Sequence, residues 1–166
     1  MSLLFDFVAD KATKTIYITR EFAADIDLVW DAFTKAEILD QWYAPKPLQA
    51  RTKEMDFREG GRWLYAMVSA GNTVGYSLVE FLKIQPKTTF STKNTFSDEN
   101  GNSIGSASSL VKHTFKAGAE VTTLYVEKVF DDLATLEKLA TMGFKEGTAA
   151  GFANLDEYFL TLVTHK

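Results

Sequence analysis

Residues 144–162 read FKEGTAAGFANLDEYFLTL, and this stretch decides the architecture. Phe144, Gly147, Gly151, Phe152, Leu155, Tyr158, Phe159 and Leu162 recur at helical spacings, along one helix face. The pattern predicts a helix from Phe144 to Leu162 of about five turns. Its first half, with Gly147, Ala150 and Gly151, presents a shallow surface, and from Phe152 onward the face is bulky. A shorter helical stripe runs through Leu133, Leu136, Leu139 and Ala140, and Gly143 breaks the chain between the two.

Upstream of these helices the chain reads as strands and turns. The connections at Gly71-Asn72, Gln85-Pro86-Lys87, Asn100-Gly101-Asn102 and Ala117-Gly118 separate strands at Val74–Ile84, Thr88–Phe96, Ser108–Lys116 and Val121–Phe130. Before them, Arg51 to Arg58 runs into the turn Glu59-Gly60-Gly61 and returns as Arg62 to Met67. Parallel neighbours need long crossovers, so such short connections make an antiparallel meander. Nearer the N-terminus, Leu3 to Val8 and the alternating Ile16 to Phe22 form a hairpin. Asp25 stands as an N-cap before the stripe Ile26, Val29, Trp30 and Phe33; Leu39 and Trp42 repeat the pattern until Pro45 and Pro47. Two short helices are therefore expected between Asp25 and Tyr43. The fold class is α+β: a curved antiparallel sheet under a long helix, with a cavity beneath the helix's shallow end.

Composition narrows the function. The 166 residues suit one domain, 1–166, and 46% apolar content provides a sizeable core. The net charge of −4 is spread evenly over both halves of the chain. No basic stripe is present to neutralise phosphates, so neither nucleic acid nor an anionic membrane is an expected partner. Cysteine is absent, which removes disulfides and thiolate chemistry. No stretch approaches the ~20 apolar residues of a spanning helix, and a cytoplasmic location is expected. The 13 Phe, 6 Tyr and 3 Trp are the unusual quantity, because rings against a concave sheet leave irregular gaps.

Several motifs together resemble one family. They are Arg20-Glu21-Phe22-Ala23-Ala24-Asp25 with Val29-Trp30-Asp31-Ala32-Phe33-Thr34, then Glu37-Ile38-Leu39-Asp40-Gln41-Trp42-Tyr43-Ala44-Pro45. Asp56-Phe57-Arg58-Glu59-Gly60-Gly61 and Met142-Gly143-Phe144-Lys145-Glu146-Gly147 complete the set. In this order, from about Phe5 to Leu160, the chain resembles the bacterial relatives of the C-terminal domain of the heat-shock-protein-90 ATPase activator. That family lies within the START-like, or SRPBCC, helix-grip superfamily. The resemblance implies a helix-grip fold and a bound small hydrophobic molecule. It also implies, as alternatives, a chaperone partner or a cyclase- or hydratase-like enzyme. Three positions depart from the family's usual residues: Ala24 and Ala36 replace prolines, and Tyr43 replaces a tryptophan, adding a hydroxyl that needs a partner.

The expected cavity walls are Trp42, Tyr43, Trp63, Tyr65, Phe81 and Phe152. Trp63, Tyr65 and Met67 share one strand face, and read either as cavity wall or as plain core. Asp56 and Arg58 form an ion pair that either holds a polar ligand group or fixes the adjoining turn. Lys128 falls on the buried parity of its strand with Leu124, Val126 and Phe130, near an end from which it is expected to snorkel outward. No catalytic residue is assigned; His113 and Asp56 are weak candidates, His113 because its ordinary pKa suits a general base. His113 and His165 are the two histidines, too far apart in sequence, without cysteine, to suggest a metal site. No phosphate-binding glycine loop occurs, and no cofactor is expected. Oligomeric state, ligand identity and any reaction are left open.

Overall fold

The computed structural model describes residues 3–164; His165 lies outside them. Eight strands form one antiparallel sheet: β1 (Phe5–Asp10), β2 (Thr15–Phe22), β3 (Gln49–Met55), β4 (Arg62–Ser69), β5 (Asn72–Gln85), β6 (Thr89–Ser97), β7 (Ser103–Ala117) and β8 (Thr122–Phe130). Their order is β1-β2-β8-β7-β6-β5-β4-β3. Strands β3 to β8 are a meander, and the N-terminal hairpin joins it through β2 against β8, with Ile18 opposite Val126. Helices α1 (Ile26–Thr34) and α2 (Ala36–Trp42) lie between β2 and β3, and α3 (Leu133–Thr141) and α4 (Phe144–Thr164) follow β8. The sheet curves about α4, which is the helix-grip arrangement.

Local chemistry sets the boundaries. Asp25 Oδ1 accepts from the Leu28 amide at 3.0 Å and starts α1; Asp132 does the same for α3 through the Thr135 amide at 2.7 Å. Gly143, at φ 84°, makes the left-handed turn that separates α3 from α4. Strand β7 begins five residues earlier than its sequence pattern suggests. Asp98 accepts from the amides of Asn100 and Asn102, both at 2.9 Å, and this tight turn lets Ser103 pair with Ser97 at once. Between β3 and β4, a Cβ on Gly61 would stand 2.1 Å from the Asp56 carbonyl, so only glycine fits there.

Helices α1 and α2 close one part of the concave face. Trp30 packs edge-on against Phe57, Phe90 and Phe115, at centroid distances of 5.9, 5.7 and 5.3 Å. Phe57 also meets Phe81 at 4.9 Å. On the other flank, Phe22 meets Phe152 and Phe159 of α4. The buried Arg20 guanidinium pairs with Asp156 of α4 while lying over the Phe22 ring, clamping the helix to β2.

Candidate ligand cavity

Between the sheet and the N-terminal half of α4 lies a cavity of about 410 Å³. Small residues on the helix leave this room: Gly147, Thr148 and Gly151 line it, with Phe144 and Phe152 at either end of that run. Ala150, expected on the same face, is exposed, because the helical rotation turns it away from the sheet. Gly151 also lets α4 approach the end of α2, where a Cβ would stand 3.4 Å from the Tyr43 carbonyl. The Asn154 amide donates to the Ala44 carbonyl at 3.0 Å and secures that approach.

Four of the six expected wall residues meet here: Trp42, Tyr43, Tyr65 and Phe152. Trp42 is anchored by its indole N–H, which donates to the Ala32 carbonyl at 2.9 Å. Tyr43 packs edge-on against Tyr65 at 5.5 Å, and its hydroxyl interacts with that of Tyr65, which also meets Ser77. The hydroxyl that distinguishes this chain at position 43 thus has a partner. Burial pushes both phenols above their ordinary pKa, so they stay neutral donors and acceptors.

Trp63 and Phe81 lie elsewhere, lining a separate void of about 30 Å³. Trp63 is drawn aside because its indole N–H donates to Thr52 Oγ1 at 2.9 Å, and Thr52 Oγ1 in turn donates to Asp40 at 2.6 Å. It stacks on Tyr65 at 4.1 Å. Phe81 belongs to the Phe57–Phe90 cluster. Asp56 is also away from the cavity: its ion pair with Arg58 spans 2.7 Å with side chains 44% and 69% exposed, so it braces the turn in solvent.

His113 does face the cavity. It stacks on Phe90 at 4.5 Å, is half-buried, and its pKa falls to about 3 through desolvation and the nearby Lys128 charge. A neutral imidazole so weakly basic is a poor general base near pH 7, unlike the expectation from its ordinary pKa. Among the described residues its Nδ1 has no hydrogen-bond partner, and neither has Thr95 Oγ1, which lines the same cavity.

The residue that sequence reasoning misplaced is Lys128. Instead of snorkelling outward it extends into the cavity, over the rings of Phe130 and Phe144 at 5.6 and 5.5 Å. Desolvation lowers its pKa to about 8. The cause is positional: Lys128 pairs with Ile16 and Val111 in mid-sheet, α3 packs on β8, and the Phe144 ring at the start of α4 lies against the ammonium. Its parity among Leu124, Val126 and Phe130 was the signal available in the sequence. The rest of the lining is mainly apolar, with Ile18, Phe33, Val79 and Val111 among it, and no carboxylate among the described residues. Phe96, also in the lining, is 59% exposed and marks where the cavity reaches the surface. No described helix is long and apolar enough to cross a membrane, and no described cluster of His, Asp and Glu is arranged to hold a metal ion.

Comparison with known proteins places this geometry in a family. A crystal structure of protein Ms6760 from Mycobacterium smegmatis superposes with a TM-score of 0.86 at 24% identity, over 97% of this chain and 99% of that one. The solution structure of a protein from Arthrobacter aurescens gives 0.83 at 22% identity, over 91% and 88%. CalU16 from Micromonospora echinospora gives 0.59 at 16% identity, over 99% and 91%. At these identities the likeness speaks to the fold. No curated protein matches the sequence. The family model described as Activator of Hsp90 ATPase homolog 1-like protein matches residues 23–160. With most of its length so matched, and with the helix-grip fold described above, the chain belongs to the Activator of Hsp90 ATPase homolog 1-like family.

Proposed function

We propose that this protein binds a hydrophobic or aromatic small molecule between its sheet and its C-terminal helix. The observation that carries the reading is the cavity of about 410 Å³, within the size range of ligand sites and walled by Trp42, Tyr43, Phe33 and Phe152. Ordinary interiors are packed without voids larger than a water molecule, and this one departs from that at the site where α4 carries small residues. A few polar groups on apolar walls are the usual means by which a pocket orients a ligand. Neither weak catalytic candidate supports a reaction: burial holds the His113 imidazole neutral, and Asp56 stands outside the cavity.

Native mass spectrometry of the purified protein, followed by solvent extraction, tests this. A stoichiometric adduct whose removal lowers the melting temperature is the expected result. An empty protein that shows no thermal shift with lipid or aromatic compounds overturns it, and leaves the chaperone role named in the family's description as the next reading.

A further inference from the structure

The polar atoms of the cavity specify what kind of molecule it holds, and the following inference rests on the binding role proposed above. Lys128 reaches inward from β8, and its interactions among the described residues are the two ring faces and the charge effect on His113. Among the described residues no carboxylate lines the cavity, and none pairs with this ammonium. Lys128 is half-buried with its ammonium against two rings; drawing a cation out of water without a counter-ion is costly, and such charges are ordinarily paired. Next to it, His113 sits one step along β7, since Lys128 lies opposite Val111 and His113 opposite Val126. The unpartnered His113 Nδ1 and Thr95 Oγ1 face the same space.

We infer that the occupant is a monoanionic amphiphile, an aromatic or aliphatic carboxylic acid whose carboxylate pairs with Lys128 while its apolar body lies against Phe33, Trp42, Val126 and Phe152. The single positive charge fits one negative charge. A phosphate dianion would bring two charges to one ammonium, and a cationic ligand would meet like charge. His113 and Thr95 are placed to bond further oxygens of the same molecule. The titratable groups facing the space are His113 of β7, Tyr65 of β4 and Tyr43 after α2; α3 and α4 contribute Thr135, Leu139, Phe144 and Thr148, which do not titrate.

The test compares isosteres by isothermal titration calorimetry: dodecanoate against dodecanamide, and 2-naphthoate against 2-naphthamide. A charge-assisted bond predicts that each acid binds wild-type protein about 10–100-fold more tightly than its amide at pH 7. In Lys128→Met the gap closes while amide affinity is kept. In wild type the acid's affinity is level between about pH 6 and pH 8 and falls above that, by up to the acid–amide gap, as the free ammonium loses its proton, whereas the amide's is unchanged. This pH arm requires no variant. Equal affinity of acid and amide in wild type overturns the anion assignment and leaves the cavity reading standing. Absence of binding by all four probes overturns both. Loss of both acid and amide in a folded Lys128→Met protein overturns the assignment by making Lys128 a wall residue only.

Discussion

Replacing Lys128 by methionine is expected to stabilise the ligand-free protein, although it deletes a charged residue. Methionine keeps the unbranched stem against Phe130 and Phe144 and removes the partly desolvated ammonium. The pKa of Lys128 falls from 10.5 to about 8 on folding, with desolvation as the cause. A drop of that size corresponds to about 3 kcal/mol of stability lost while the group must stay charged. The sign follows from the proton count. Between pH 8 and pH 10.5 the unfolded chain holds a proton that the folded chain has released, so wild-type stability rises with pH through that window. Below pH 8 both states are protonated and the full penalty applies. The variant should therefore be more stable by about 3 kcal/mol at pH 7, or about 6–12 °C in melting temperature for a chain of this size. The difference should vanish near pH 10.5. Protein refolded from urea to remove any small molecule, then melted at pH 7, 9 and 10.5, checks this by circular dichroism. A variant that is less stable at pH 7, or a difference that does not change with pH, refutes the desolvation of the ammonium.

Gly61→Ala should destabilise by ~2 kcal/mol or more in urea unfolding, because its Cβ meets the Asp56 carbonyl. Gly147→Ala should instead raise stability by ~0.5–1 kcal/mol, since the nearest atom to the new methyl is Pro45 Cγ at an ordinary 3.9 Å and alanine favours the helix. Asp156→Ala strands the buried Arg20 guanidinium and should cost about 3 kcal/mol, measured by the same unfolding curves. Asp56→Asn removes an exposed ion pair and should leave both the melting temperature and naphthoate binding unchanged within error.

The parts of the fold legible in sequence were those set by local pattern. The interval of three and four in 144–162, the Asp25 cap and the glycine turns each depend on residues near one another in the chain. The start of β7 was missed because the Asp98 turn draws its force from backbone amides that no hydropathy pattern records. Among the wall residues, strand parity brought Tyr65 inward, but Trp63 has the same parity and still leaves the cavity. Its indole follows a hydrogen bond to Thr52 on the neighbouring strand, and that pairing exists only in the folded sheet.

By itself, then, the sequence determined the strand and helix periods, the family resemblance and the even charge, because these are local or summed properties of the chain. Tertiary structure alone decided which groups share the cavity. Lys128 reads on its strand as a charge near an end, free to reach water. Packing of α3 on β8 and of the Phe144 ring against the ammonium turns it inward, and an ordinary lysine becomes a half-buried cation, with no carboxylate partner among the described residues, facing an apolar cavity.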